Sequence, residues 1–298
     1  MKLSLTFAIA CTIASSSASS APQEKAPAQG QGCQQANTMG GGPAAIPRNG
    51  KFRVFLLAGQ SNMTGQGRAI QLKPPLNLPH DRIRIWAHNR WEQFVPTKSF
   101  GPGLNLAHEF AKLWPDDTIG VIKVAIGGTG ISSFQPDWTK ESADRSKDGR
   151  KGNLYQDITE AVTAARKISE FALVGFAWKQ GGKDMRYPRL AKEYLSNFRK
   201  MISGLRKDLN VPDLPAFIAT YGTREEFENF DGPINKSRPG AFDVIKAQLD
   251  AADQIPNVVA FSHGKLPCHK DGIHFNTEGQ LILGKMFADS MRKYLADR

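Results

Sequence analysis

The stretch Gly59-Gln60-Ser61-Asn62-Met63 follows the apolar run Val54-Phe55-Leu56-Leu57-Ala58, so its serine stands where a strand should end. In an open α/β sheet the crevice beyond the carboxyl ends of the strands is the usual reaction site. The first backbone N–H groups of the helix that follows are unpaired and can meet a developing negative charge. Ser61 is therefore a candidate nucleophile, although taken alone it reads more simply as a helix cap. Near the other end of the chain, Asp271-Gly272-Ile273-His274 places a carboxylate and an imidazole on one loop. Such an aspartate can fix the imidazole tautomer and stabilise its protonated form, which is the base-and-orienter half of a catalytic triad.

Two further segments offer hydrogen-bond donors. Ile126-Gly127-Gly128-Thr129-Gly130 follows a second apolar run, and its glycines allow a sharp turn that presents N–H groups without a side chain in the way. Neither a dinucleotide fingerprint nor a Walker lysine accompanies it, which leaves a nucleotide site unsupported. Trp178-Lys179-Gln180-Gly181-Gly182-Lys183-Asp184 follows a third run, and the Gln180 side chain can donate to an oxyanion. Gln60, Asn62 and Lys179 border these groups and are expected to contact a substrate.

The elements that must position these groups alternate. Strand-like runs over Phe52 to Ala58, Thr118 to Ile126, Phe171 to Lys179, Leu214 to Thr220 and Asn257 to Phe261 are separated by amphipathic segments of helix length. The helices are expected over Leu104 to Trp114, Leu154 to Ser169, Leu190 to Leu209, Ala241 to Ala252 and Glu278 to Ala296, the last with Leu283, Phe287, Met291 and Tyr294 on one stripe. Thr277 and Gln280 have the spacing of a capping box at its start. This pattern predicts a parallel sheet covered by helices on both faces. Ile83 to Ala87 is a further short strand candidate, and Ser132 to Lys151 reads as a surface loop in which Phe134 and Trp138 are exposed aromatics or line a substrate site.

Residues 1–20 read as a secretory signal: Lys2, a short apolar stretch from Leu3 to Ile13, then small residues with Ala18 three positions before a cut after Ser20. A lipoprotein anchored at Cys11 is the weaker alternative, because the leucine expected before it is missing. Residues 21–50, built from Pro, Gln, Gly, Ala and Asn, are expected to be a disordered linker, which leaves 51–298 as one α/β domain. The expected location is secreted or periplasmic. No segment is long and apolar enough for membrane insertion.

A formal charge of +11 is spread over residues such as Arg145, Lys147, Arg150 and Lys151 without interleaved aromatics, so it reads as a solvated basic surface rather than a nucleic-acid site. Cys33 and Cys268 could pair or stay free. His263, Cys268, His269 and His274 crowd together, but their spacing matches no usual zinc signature and no metal is expected. The glycosylation patterns at Asn62 and Asn235 carry little weight, since a glycan at Asn62 would sit on the nucleophile loop.

Taken together, Gly-Gln-Ser-Asn, the Gly-Gly loop, the Gln-Gly segment after Trp178 and Asp-x-x-His resemble the SGNH hydrolase superfamily. Within it they resemble the carbohydrate esterases that include sialate O-acetylesterases and acetylxylan esterases. The resemblance implies a flavodoxin-like three-layer α/β/α fold around a five-stranded parallel sheet. It also implies a serine esterase that removes O-acetyl groups from oligo- or polysaccharides without a cofactor. Carried over, Ser61 is the nucleophile, His274 the general base and Asp271 its partner, with an oxyanion hole from the N–H groups of Ser61 and Gly128 and the side chain of Gln180. Where these esterases usually show His-Gln-Gly-Glu, this chain has Lys179-Gln180-Gly181-Gly182. That departure bears on substrate contacts, and it motivates the alternative of a degenerate domain that binds glycans without hydrolysing them.

Overall fold

The run that precedes Ser61 forms β1 (Phe52–Gly59), buried along nearly its whole length, and leads into the one-turn helix α1 (Ser61–Thr64). The structure, a computed structural model, describes residues 41–47, 50–229 and 236–297. The signal, Cys11, Cys33 and Asn235 therefore lie outside the described residues. After α1 come β2 (Gly67–Arg68), β3 (Ile83–Ala87), β4 (Arg90–Gln93), β5 (Ser99–Phe100), α2 (Gly103–Leu113) and β6 (Thr118–Ala125). The middle of the chain supplies α3 (Lys140–Asp144), α4 (Leu154–Ile168), β7 (Ala172–Lys179), α5 (Pro188–Lys192), α6 (Tyr194–Asp208) and β8 (Ala216–Thr220). The chain continues through α7 (Arg224–Glu228), α8 (Ala241–Gln254), β9 (Val258–Ser262) and α9 (Thr277–Ala296).

The main sheet has the order β4-β3-β6-β1-β7-β8-β9, with every pairing parallel except the β3–β4 hairpin. From β1 the chain lays down β3 and β4 on one side, returns to insert β6 between β3 and β1, and then, from β7 on, builds outward on the other side. The order thus reverses at β1, and a crevice opens beyond its carboxyl end between the loops that follow β6 and β7. Ser61, Gly127–Gly128 and Gln180 leave these three adjacent strands. Sequence spacing alone could not supply that adjacency.

Alternate residues of β1 enter opposite cores, as the two-residue period of a strand requires. Val54, Leu56 and Ala58 pack with Ile158, Phe198 and Val244 from α4, α6 and α8. Phe55 and Leu57 pack with Phe110 of α2 and with Leu283 and Phe287 of α9. The result is the expected three-layer α/β/α arrangement, with a sheet of seven strands instead of five. The extra pair is the β3–β4 hairpin, turned by His88 and Asn89 at φ 49° and 55°. Its charged residues conceal a buried strand: Glu92 is 2% exposed, paired with Arg90 at 2.8 Å and facing the His88 imidazole at 2.9 Å.

Other boundaries also move. The helix expected over Leu190 to Leu209 divides at Glu193 into α5 and α6. The cap of α9 is Asn276, whose side chain accepts from Gly279 N at 3.0 Å, in place of Thr277. Thr277 Oγ1 instead accepts from Arg68 N at 2.8 Å and donates to Gln71 Oε1 at 2.6 Å, tying α9 to the segment after the nucleophile. Phe134 is fully buried edge-on to Trp178, with ring centroids 4.9 Å apart, so it belongs to the core. Residues 41–47, expected to be linker, lie against β4: Gln93 N donates to Gly42 O, Ala44 N donates to Trp91 O, and Ala45 O accepts from the Arg84 guanidinium.

Gly59 makes the exit from β1 possible. Its φ is 149°, and a Cβ there would lie 2.2 Å from the carbonyl oxygen of Lys179. The same carbonyl accepts from Gln60 N at 3.0 Å, which holds the nucleophile turn against the end of β7. Gly59→Ala must shift one of the two backbones, and is expected to lower stability by about 1–3 kcal/mol in urea unfolding, with loss of the native turn.

Candidate active site

Ser61 opens α1 at 7% exposure, and its neighbour Asn62 reaches across to the loop that carries His274. Asn62 Nδ2 donates to Ile273 O at 3.0 Å, and Asn62 Oδ1 accepts from Phe275 N at 3.0 Å. One amide therefore grips the backbone immediately before and after His274. Within that loop Asp271 Oδ2 faces His274 Nδ1 at 2.6 Å, while Oδ1 accepts from the N–H groups of Ile273 and His274 at 2.9 and 3.0 Å. The backbone donors first, and then the imidazole, hold the Asp271 carboxyl well below the usual carboxylate range. The imidazole is held at Nδ1, so Nε2 is the nitrogen left to work as a base. The loop is anchored further by His269, whose N donates to His274 O at 2.8 Å and whose Nε2 donates to Gln66 O at 2.9 Å.

The glycine loop comes to the other side of Ser61. A Cβ built on Gly127 would lie 3.8 Å from Ser61 Cβ, and Gly128 adopts the left-handed conformation at φ 61°. Among the described residues, the backbone N–H groups of Ser61 and Gly128 donate to no protein acceptor. Gln180 is placed differently. Its side chain is fully buried, and Nε2 donates to Thr129 O at 2.8 Å and to Asp184 Oδ2 at 2.5 Å, which commits both amide hydrogens. In this arrangement Gln180 braces the glycine loop from beneath. It would meet an oxyanion only after giving up one of those bonds.

Three charged residues that sequence reasoning did not single out complete the brace. Asp184 accepts from Ile131 N at 3.2 Å, and Asp148 Oδ2 accepts from Gly130 N at 2.8 Å and Ser146 Oγ at 2.6 Å. Lys151 Nζ lies 2.9 Å from Gly127 O, 2.5 Å from Gly128 O and 3.1 Å from Thr129 Oγ1, and forms an ion pair with Asp148 Oδ1 at 2.8 Å. Lys151 was read as part of a solvated basic surface. The available signal was its company: a lysine three residues after an aspartate, within a loop predicted to lie near the active face. Lys123 supports the nucleophile turn from below, donating to Thr64 O at 2.7 Å, and burial lowers its pKa to about 7.

Lys179 does not take the substrate-contact position expected of it, and Asn62, although it lines the cleft beside Gln60, is held by its amide. Asn62 spends both ends of its amide on the His274 loop. Lys179 is 1% exposed, donates to Ala219 O at 3.1 Å, and lies 3.4 Å from the centroid of the Tyr221 ring. Burial, with Arg238 nearby, pushes its pKa well below the ordinary lysine value. Gln60 does face open space, in a cleft of about 460 Å³ that also contains Gly182, Tyr221, Arg238, His263 and Lys265. The Gly182 departure has a direct effect here, since a Cβ at that position would lie 3.1 Å from Gln60 Nε2 and 3.3 Å from the Tyr221 hydroxyl. A second cavity of about 1020 Å³ lies on the Asp271–His274 side, bordered by Arg68, Gln71 and Thr277. The clustered histidines separate: His263 packs edge-on to Tyr221 and Phe275, and His269 is bound to Gln66 O.

Residues 51–293 match the model of the family described as carbohydrate esterase, sialic acid-specific acetylesterase. The chain belongs to this carbohydrate esterase family. It is 29% identical over 272 residues to a protein of Arabidopsis thaliana named "probable carbohydrate esterase", covering 82% of this chain and 91% of the relative. The X-ray structure of that Arabidopsis protein superposes with a TM-score of 0.64 at 24% identity, covering 81% of this chain and 98% of the other. A carbohydrate acetylesterase from Xanthomonas citri gives a TM-score of 0.60 at 17% identity, covering 82% of this chain and 57% of that one. At these identities the two structures speak for the fold. The family assignment makes the protein a carbohydrate esterase.

Two expectations follow from this geometry. Asn62→Ala removes both bonds to the His274 loop and should cost about 1–3 kcal/mol of stability, together with a loss of esterase turnover, read from urea unfolding and ester hydrolysis of the same preparation. The second concerns Asp184, whose pKa is raised by burial from 3.8 to about 7. Between these values the unfolded state gives up a proton that the folded state keeps, so stability falls as pH rises from about 4 to about 7. Asp184→Asn should flatten that fall, measured as unfolding free energy at intervals across the window.

Proposed function

We propose that this esterase removes O-acetyl groups from carbohydrates through an acetyl-Ser61 intermediate. The observation that carries the reading is the Asp271–His274 pair, closed at 2.6 Å and held beside the nucleophile turn by both ends of the Asn62 amide. A serine hydroxyl is a weak nucleophile at neutral pH, so His274 Nε2 takes the Ser61 Oγ proton as Oγ bonds to the acetyl carbonyl carbon. The carbonyl oxygen becomes an oxyanion, met by the free N–H groups of Ser61 and Gly128. Collapse breaks the bond to the sugar oxygen, which receives the proton from His274. Water then repeats the sequence on the acetyl-enzyme, releasing acetate and restoring Ser61. Asp271 holds the imidazole and stabilises its cationic form throughout.

The cleft beside Gln60 supports an acidic sugar over neutral xylan. Arg238 and Lys265 line it, and among its described lining residues there is no carboxylate. A sialate-type substrate, as the family description names, fits that charge. The leader-like residues 1–20 support a secreted or periplasmic enzyme acting on glycans outside the cytoplasm. Release of acetate from an activated acetate ester tests the reaction itself. Ser61→Ala should lower kcat by on the order of 10³-fold or more. Equal, background-level release from both proteins would instead defeat the esterase reading and leave the degenerate glycan-binding alternative standing.

A further inference from the structure

Lys151 occupies a place that the mechanism above does not use. Its ammonium is set among the Gly127 and Gly128 carbonyls, the Thr129 hydroxyl and the Asp148 carboxylate. We propose that Lys151 is a positioning residue of the oxyanion hole, acting through the peptide that joins Gly127 to Gly128. The proposal rests on the roles assigned above to Ser61 and Gly128.

The Gly127 carbonyl and the Gly128 N–H are the two ends of one planar trans peptide and point in opposite directions. A cation that fixes the oxygen therefore fixes the direction of the hydrogen. Gly128, at φ 61°, has no side chain with which to hold this orientation, and a glycine loop left to itself populates several. Two successive carbonyls turned onto one ammonium select one of them. The same contact has an electronic effect, because a charge-assisted hydrogen bond to the carbonyl polarises the amide and makes its N–H a stronger donor.

The brace is itself braced. Asp148, fully buried, pairs with Lys151 through Oδ1 and accepts from Gly130 N through Oδ2, so one carboxylate ties the cation to the loop it holds. Lys151 and Asp148 belong to a single turn, in which Lys151 N donates to Asp148 O at 2.8 Å. Oxyanion donors work by being aimed before charge develops, so this assembly should act on turnover more than on substrate binding.

The test compares Lys151→Met, Lys151→Arg and Lys151→Gln with the wild type and Ser61→Ala, using an activated acetate ester as substrate and an arylboronate as a tetrahedral-adduct inhibitor. Lys151→Met is expected to lose about 10–100-fold in kcat with KM within about threefold, and to lose boronate affinity by a similar factor. Lys151→Arg, which keeps a cation for the carbonyls, should recover most of both. A Lys151→Met kcat within about twofold of wild type, or a loss confined to KM or to the melting temperature, overturns the proposal. If the Met variant yields no folded protein, the Arg and Gln variants decide. A kcat about tenfold lower for Gln than for Arg supports the role, and equal values overturn it. An undiminished rate in Ser61→Ala defeats the reading of Ser61 itself, whereas an inactive Ser61→Ala beside a fully active Lys151→Met removes the Lys151 proposal alone.

Discussion

The two hydrogen bonds of the Asn62 amide are the constraint on which the site depends. Ser61 and His274 belong to opposite ends of the chain, and the sheet alone fixes only where their loops begin. Asn62 converts this neighbourhood into a register, because its donor and acceptor are spent on Ile273 and Phe275, the residues that flank the base. A side chain next to the nucleophile is the right length for the task and moves with the nucleophile. The amide also explains why this asparagine is tolerated in a buried position: each of its polar ends has a backbone partner.

Around the glycine loop, the same economy is applied to charge. Gln180, Asp184, Asp148 and Lys151 form a nearly continuous polar layer beneath and behind residues 127–131. In a medium of low dielectric such a layer stiffens what it touches when its groups are paired. The loop contains three glycines and could not be rigid on its own account. Its stiffness is supplied from outside, by side chains whose own positions are fixed by α3, the turn at Asp148 to Lys151, and the turn after β7.

Much of this was legible in the sequence, for identifiable reasons. Strands β1, β6, β7 and β8 announce themselves as apolar runs because both faces are largely buried, β9 does so as a half-buried apolar edge strand, and Asp271 and His274 are close enough along the chain to be read as a pair. What stayed hidden was set by contacts distant in sequence. β3 coincides with the strand candidate at Ile83 to Ala87, whereas β4 is masked by Arg90 and Glu92, which neutralise one another only once paired. Lys151 looks like surface charge until the glycine loop it braces is in place. Asn62 and Lys179 sit beside chemically active neighbours along the chain, yet their side chains turn toward other loops, a choice that spacing does not encode. The substitution of His-Gln-Gly-Glu by Lys179-Gln180-Gly181-Gly182 was visible as a departure. Its consequence, a buried lysine over Tyr221 and an open wall at Gly182, needed the fold.

The strap formed by residues 41–47 has a consequence for the molecule's life among other proteins. β4 is an edge strand, and an exposed edge is a template on which another chain can add. Here Gly42 and Ala44 satisfy outward backbone groups of Gln93 and Trp91, and Pro43 between them has no N–H to offer a further strand. The edge is closed by a segment that cannot propagate it. The residues just ahead of β1 thus cap the β4 edge of the sheet, and removing them would uncover the Gln93 N–H and the Trp91 carbonyl that they satisfy.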